Sequence, residues 1–147
     1  MTFDKFTIKA QEAVQEAVNT AQRSGQQSIE PVHLLKGLMN KAKDVTNFLF
    51  QKLGVNAMQV ETVVDREISR LPRVQGGQPY LSNESNSVLQ KAVDISQKMG
   101  DEFVSVEPVM LALLDVNSTA SRIMKDAGCT EKEMRAAINE LRQGQKV

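Results

Sequence analysis

The feature that most constrains this chain is an internal repeat. Residues 25–32 read GQQSIEPV and residues 100–109 read GDEFVSVEPV, and in both stretches a glycine and a short loop lead through Glu-Pro-Val into an apolar segment. Self-similarity at a fixed offset is the signature of a repeat architecture. We call the separation of the two opening glycines, Gly25 and Gly100, the repeat offset. The separation of Pro31 and Pro108 exceeds this offset by two residues, so the second loop is predicted to be two residues longer than the first.

Apolar residues at helical spacing surround both copies of the repeat and predict four helices in each half. Thr7, Asn56, Ser82 and Thr130 are each placed to cap the N-terminus of a helix, and Gly25 is placed to end the first helix. Pro31 and Pro108 are each predicted at the first position of a helix, where the missing N–H costs nothing. No segment shows sustained alternation with a period of two, so the sequence predicts an all-α fold.

The helices divide the chain into two tandem four-helix repeats. We assign repeat one to residues 7–72, repeat two to residues 82–143, and a joint to residues 73–81, which contain two glycines, one proline and no periodicity. The whole is predicted to be a single domain over residues 1–144, with the repeats related by an approximate two-fold axis. One repeat alone is small for a self-sufficient core. We therefore expect the repeats to pack together through the alanine-rich first helix of each.

Composition narrows the classes of function. The 18 basic and 18 acidic side chains cancel and Trp is absent, which argues against a nucleic-acid-binding surface. No apolar run approaches the length of a membrane span, so no membrane partner is expected. A single cysteine allows no internal disulfide, which suits a reducing compartment. We therefore expect a cytoplasmic fragment that is monomeric by itself.

The chain lacks the groupings that catalysis requires. It contains no phosphate-binding G-x-x-x-x-G-K-[ST] motif and no dinucleotide fingerprint. Glu30 and His33 have the spacing of one half of a di-iron site, but His33 is the only histidine. Cys129 has no histidine partner that would activate its thiolate. We predict that this fragment is not an enzyme by itself and that it holds neither a metal nor a cofactor.

The repeat pattern resembles a known family. Two tandem copies of helix, glycine, loop and leucine-rich helix are similar to the Clp amino-terminal repeat domain, which precedes the ATPase rings of Clp-type AAA+ unfoldases. The resemblance covers nearly the whole chain, and its details look most like the ClpB-type disaggregases of that family. The stretches that carry it are FDKFT at 3–7, IEPVHLL at 29–35, RLPRV at 70–74, and Gly100-Asp101 followed by Glu107.

The resemblance implies a function as well as a fold. It implies a substrate-recognition domain that captures aggregated or unfolded protein, with residues 145–147 beginning a linker to two ATPase modules. The full-length protein would then bind ATP and magnesium, form a hexameric ring and work with a DnaK-type chaperone system. The positions that match the family's substrate-handling residues are Thr7, Asp101 and Glu107. Two alternatives stay open: a receptor for adaptor proteins or modified peptides, as in protease-linked relatives, and a structural spacer on the ring.

Apolar and acidic side chains lie close together in the sequence around the second copy of the repeat. Ile95, Met99 and Phe103 offer apolar contacts, and Asp101 and Glu107 are acidic. One interpretation makes them a substrate-binding surface beside the start of the first helix, with Asp101 exposed. The other assigns Ile95 and Met99 to the core and the acids to the cap of the next helix. On the first interpretation, replacing Asp101 or Glu107 by Ala leaves the domain folded and weakens substrate capture.

Overall fold

A computed structural model describes residues 2–147, and within them the chain forms eight α-helices and two very short strands. The helices of the first repeat are α1 (Ile8–Arg23), α2 (Pro31–Lys41), α3 (Lys43–Lys52) and α4 (Ala57–Arg70). Those of the second repeat are α5 (Asn83–Lys98), α6 (Val106–Asp115), α7 (Thr119–Asp126) and α8 (Glu131–Arg142). The strands are β1 (Ser28–Ile29) and β2 (Tyr80–Leu81). We name residues 25–30 the first loop and residues 100–105 the second loop. The predicted all-α architecture is confirmed, with one small strand pair added to it.

Side-chain caps begin several helices where the sequence predicted them. In each case a side-chain oxygen accepts a hydrogen bond from the backbone N–H three residues further on, and the four residues concerned are Thr7, Asn56, Ser82 and Thr130. Such a cap satisfies one of the N–H groups that the first helical turn leaves without a partner. Thr7 and Ser82 cap the first helix of each repeat and are separated by the repeat offset, so the two repeats begin in the same way.

The second loop has the same length as the first, so the prediction of two extra residues is wrong. The N-terminal flanking residues of α2 and α6 are Glu30 and Ser105, and their separation equals the repeat offset. Pro108 occupies the third position of α6, whereas Pro31 occupies the first position of α2. The first few N–H groups of a helix have no intrahelical partner, so a proline fits at either position without losing a bond.

Backbone pairings connect each loop to the other half of the chain and support the two-fold arrangement. In the first loop, β1 pairs in parallel with β2, with Ile29 opposite Leu81. In the second loop, Val104 pairs in parallel with Phe6, which leads into α1. Phe6 and Leu81 are separated by the repeat offset, and so are Ile29 and Val104. The two pairings are therefore equivalent: in each repeat, the segment just before the first helix pairs with the loop of the other repeat.

The alanine-rich face of α1 packs on α2 of its own repeat rather than on α5, which corrects the predicted contact between repeats. Within residues 2–147, α1 packs most extensively against α2 and α5 most extensively against α6. A Cβ added to Gly37 of α2 would stand 2.1 Å from the carbonyl oxygen of Ala13 and 3.1 Å from the backbone nitrogen of Ala17. The alanines of α1 therefore admit a close neighbour, as expected, but that neighbour is the next helix along the chain.

The two repeats share one hydrophobic core. Buried side chains from all eight helices form a single cluster. Helix α6 is buried on every side from Val106 to Leu114, and it contacts helices of both repeats. Helix α2 likewise contacts α5, α6 and α7 of the second repeat. A helix that is apolar all round is suited to the centre of a domain, and the second loop leads directly into such a helix.

Candidate functional site at the second loop

Thr7 lies against the second loop. Its N–H donates to the carbonyl oxygen of Val104 at 2.9 Å, and the N–H of Val104 donates to the carbonyl oxygen of Lys5 at 2.7 Å. The hydroxyl oxygen of Thr7 accepts from the N–H of Ala10 at 3.2 Å, and the residue is half-buried. The start of α1 and the second loop therefore lie side by side, as the sequence analysis expected. The role of Thr7 in substrate binding stays a prediction.

Asp101 and Glu107 meet at the guanidinium group of Arg142, the last residue of α8. Arg142 Nη1 donates to Asp101 Oδ1 at 3.0 Å, and Nε donates to Glu107 Oε1 at 2.9 Å. The remaining nitrogen, Nη2, donates to Ser105 Oγ at 2.9 Å. One arginine thus holds both ends of the second loop and the first turn of α6. Sequence reasoning missed this residue, because no local pattern connects Arg142 with a loop about forty positions earlier.

The ionic cluster is buried. The side chain of Asp101 is 0% exposed, and those of Glu107 and Arg142 are nearly covered, so the expectation that Asp101 is exposed is wrong. Two carboxylates face one guanidinium, and the position of Glu107 in the first turn of α6 stabilises the excess negative charge. Removing one partner from a buried ion pair typically costs about 3–5 kcal/mol. Replacing Asp101 or Glu107 by Ala is therefore expected to destabilise the domain, whatever its effect on binding.

Part of the predicted apolar surface is accessible and part is core. Ile95 is 3% exposed and Met99 is half-buried against the core, as the second interpretation held for both. Phe103 is 37% exposed, and the ammonium of Lys5 lies 5.7 Å from the centre of its ring. Ile8, at the first position of α1, is 77% exposed and was missing from the predicted site. A signal for it existed, since Ile8 falls outside the apolar stripe of α1.

The first loop is held at the equivalent position by neutral groups. Gln26 follows Gly25 as Asp101 follows the second glycine, and its Nε2 donates to the carbonyl oxygen of Ile68 near the end of α4, at 2.6 Å. Gln26 Oε1 lies 2.7 Å from His33 Nε2, and the N–H of Glu30 donates to His33 Nδ1 at 2.9 Å. These contacts place the imidazole proton on Nε2. Burial lowers the pKa of His33 from 6.5 to about 4, against the opposing effect of the Glu30 charge. His33 is therefore neutral near pH 7.

Cys129 and the side chains that could hold a metal are the other reactive groups among residues 2–147. Cys129 is buried, and burial, with a smaller contribution from the charge of Glu133, raises the pKa of its thiol to about 11. Within residues 2–147, the histidine, cysteine and acidic side chains form no group of three that would hold a metal ion. In the same part of the chain, no helix combines the length and the apolar character needed to span a membrane.

Comparison with known proteins decides the family. Residues 5–143 match the family model described as the Clp repeat (R) N-terminal domain. The chain belongs to this family. The match includes both repeats and the joint between them, so the resemblance seen in the sequence is confirmed over nearly its whole length.

Relatives within the Clp family are similar over the full chain. The chaperone protein ClpB of Bacteroides thetaiotaomicron is 65% identical over 147 residues, which are 100% of this chain and 17% of that protein. The chaperone protein ClpB of Porphyromonas gingivalis is 49% identical, with the same coverage. The chain therefore spans about a sixth of the length of the curated relatives that it matches.

Solved structures show the same fold at lower identity. The Hsp104 N-terminal domain from Candida albicans matches with a TM-score of 0.82 and 24% identity, covering 97% of this chain and 95% of that one. The N-terminal domain (1–163) of the ClpV1 ATPase from E. coli matches with a TM-score of 0.82 and 14% identity, covering 96% and 88%. The arrangement of two four-helix repeats is thus common to the N-terminal domains of several Clp-type proteins.

Proposed function

We propose that this chain is the substrate-recognition domain of a ClpB-type chaperone and that it captures aggregated or unfolded protein for disaggregation. The observation that carries the proposal is the 65% identity to ClpB of Bacteroides thetaiotaomicron over all 147 residues. Identity at this level supports a relation in function, whereas the likeness to solved structures at 24% or below concerns the fold alone.

We extend the proposal to the complete protein. It continues beyond the linker at residues 145–147 into ATPase modules that bind ATP and magnesium, and it forms a hexameric ring. It works in the cytoplasm with a DnaK-type chaperone system. The domain itself contributes binding rather than hydrolysis, because the phosphate-binding motif that hydrolysis requires is absent from the sequence.

The accessible groups beside the second loop suit the capture of unfolded chains. Ile8 and Phe103 are exposed apolar side chains, and Thr7 lies next to them. Unfolded proteins present apolar side chains that folded ones cover, so a small apolar patch with polar neighbours can bind many of them. We assign client contact to Thr7, Ile8 and Phe103. We assign a positioning role to Asp101 and Glu107, which hold the second loop from inside the domain.

The test compares Phe103→Ala with Met58→Ala. Met58 lies on α4 and is 79% exposed, so it provides an accessible apolar side chain on a different helix. Binding to reduced, carboxymethylated lysozyme, a permanently unfolded protein, is measured beside a thermal melt of each variant. We expect Phe103→Ala to weaken binding about three- to tenfold, because truncating a contact of moderate importance costs about 1 kcal/mol. We expect Met58→Ala to bind like the unchanged chain.

Three results would count against parts of this proposal. Equal losses of binding in Phe103→Ala and Met58→Ala, or a loss of binding that only follows a lowered melting temperature, would contradict the assignment of client contact to Phe103. Binding to a defined adaptor or modified peptide, without binding to the unfolded protein, would favour the alternative receptor function. Absence of binding to either probe would favour a structural spacer.

A further inference from the structure

The first loop presents an exposed aromatic ring beside it, at a position equivalent to that of Phe103 beside the second loop. Tyr80 lies opposite Ser28 in the parallel pairing of β2 with β1 and is 53% exposed. Lys5 and Phe103 are the equivalent pair in the other half, related to it by the repeat offset. Each pairing therefore carries one accessible ring, which belongs to the loop in one half and to the segment that pairs with the loop in the other.

A cavity of about 270 Å³ lies next to the Tyr80 ring, and we call it the first-loop cavity. Val74 of the joint also lines it and is 50% exposed. Leu71 and Pro72, which follow α4, complete its apolar lining. The polar lining comes from the first loop: Gln26, Gln27, Ser28 and Glu30. A concave, partly apolar surface with a few polar groups is the usual form of a binding site.

Main-chain hydrogen bonds hold Tyr80 and Val74 in place and leave their side chains accessible. The N–H of Val74 donates to the carbonyl oxygen of Gly25 at 2.9 Å, and the N–H of Tyr80 donates to that of Gln27 at 3.0 Å. A partner that binds here therefore does not have to order the backbone first, which lowers the entropic cost of binding. Tyrosine is also one of the residues that contribute most to the affinity of protein interfaces.

We propose that Tyr80, Val74 and the first-loop cavity bind a second apolar segment of the same unfolded client. This inference rests on the proposed function, in which Phe103 contacts the first segment. The two-fold arrangement identifies the occupant, because the two rings lie at the same register position of equivalent pairings and offer the same kind of contact. Unfolded proteins carry apolar side chains at many positions, so one client can reach both loops. Its second contact forms within the complex, which raises the affinity for a long chain above that for either segment.

The experiment compares Tyr80→Ala with Phe103→Ala in binding to reduced, carboxymethylated lysozyme. We expect each change to weaken binding about three- to tenfold, and the two together to weaken it more than either alone. Tyr80→Phe, which keeps the ring, should bind like the unchanged chain. A thermal melt of each variant shows whether it stays folded. If Tyr80→Ala lowers the melting temperature, Val74→Gln, which places a polar side chain in the same cavity, decides instead.

A short peptide separates the two loops. The pentapeptide acetyl-Gly-Ser-Phe-Ser-Gly-amide carries one apolar side chain, so each copy can fill only one site. In the NMR spectrum of the unchanged domain, we expect this peptide to shift amide signals at both the first loop and the second loop. Tyr80→Ala should remove the shifts at the first loop and keep those at the second.

The possible outcomes distinguish this inference from the proposed function. Weaker lysozyme binding in Phe103→Ala but not in Tyr80→Ala, or peptide shifts at the second loop alone, would overturn the second site and leave the proposed function standing. Weaker binding in Tyr80→Ala alone would support the first-loop site and contradict the role of Phe103. If the unchanged domain binds neither probe, both the proposed function and the second site are wrong.

Discussion

At the scale of single residues, equivalent positions of the two repeats do the same work with different chemistry. Gln26 ties the first loop to α4 through the carbonyl oxygen of Ile68, and Asp101 ties the second loop to α8 through Arg142. The contact at Gln26 depends on a neutral His33, which accepts from the backbone and donates to the amide. A proton added to His33 Nδ1 would place two donors opposite each other. The first loop is therefore the part of the domain that we expect to be sensitive to acid.

We predict that the free energy of unfolding falls as the pH is lowered from about 6.5 to about 4. Burial lowers the pKa of His33 to about 4 in the folded state, so the unfolded chain takes up this proton first. The contribution of the neutral His33 to the free energy of unfolding is fully present above pH 6.5. It declines as the pH falls from 6.5 to 4 and changes no further below pH 4. The loss is about 3 kcal/mol, since each pKa unit corresponds to about 1.4 kcal/mol. Urea unfolding at a series of pH values measures it.

The control for this prediction is His33→Gln, which keeps one acceptor and one donor but does not titrate. Its unfolding free energy should vary less between pH 6.5 and pH 4 than that of the unchanged chain. A direct check is available because His33 is the only histidine, so its imidazole protons give one assignable pair of NMR signals. A titration midpoint of these signals near pH 6.5 in the folded protein would contradict the conclusion that burial keeps the imidazole of His33 neutral.

At the scale of helices, α1 and α2 approach each other closely at Gly37. Gly37 lies over the backbone of α1, where Ala13 and Ala17 present almost no side chain. Such a contact leaves no room for even one methyl group. It also explains why alanine dominates one face of α1, since larger residues would separate the helices and open the core beneath them.

We predict that Gly37→Ala destabilises the domain by about 3 kcal/mol, despite the higher helix propensity of alanine. The added Cβ would stand 2.1 Å from a carbonyl oxygen of α1, and backbone cannot move aside as a flexible side chain can. Urea unfolding measures the change. Gly54→Ala, with positive φ and free space, should cost only about 1 kcal/mol. A neutral or stabilising effect of Gly37→Ala would mean that α1 and α2 lie further apart than the structure shows.

At the scale of the whole molecule, the two repeats depend on each other. Their buried side chains form one cluster, and each loop pairs with a segment from the other half, Ile29 with Leu81 and Val104 with Phe6. A repeat taken alone would lose its partner for these pairings and would expose the faces of α2 and α6 that contact the other repeat. At about seventy residues, it also falls in the size range where a single core is marginal.

We predict that residues 1–76 and 77–147, prepared separately, lack stable tertiary structure and recover it on mixing in equal amounts. The cut falls between Gly76 and Gly77, exposed residues of the joint that belong to no helix or strand. Circular dichroism reports helix content, and dispersion of the amide NMR signals reports packing. The uncut chain should unfold in one transition that both methods follow together. A half that melts cooperatively by itself would contradict the single-domain assignment.

The sequence by itself determined the local structure and the family. Hydrophobic spacing, four N-caps and the glycines that end helices act over a few residues, so they could be identified without knowing the fold. The resemblance in the stretches at 3–7 and 29–35 identified the Clp family, and the repeat offset predicted the tandem architecture. The resemblance also singled out Asp101 and Glu107, which the structure brings together, but it carried no information about how deeply they are buried.

Tertiary structure alone decided which surfaces meet. Arg142 reaches a loop some forty residues away, α1 packs on α2 instead of α5, and the Glu-Pro-Val echo proved to be out of register by two residues. Proline is tolerated throughout the first turn of a helix, so Pro108 could not reveal where α6 begins. An alanine-rich face permits a close contact but does not determine which helix packs against it. Such choices depend on how all the helices fill one core together, and no local pattern of residues contains that information.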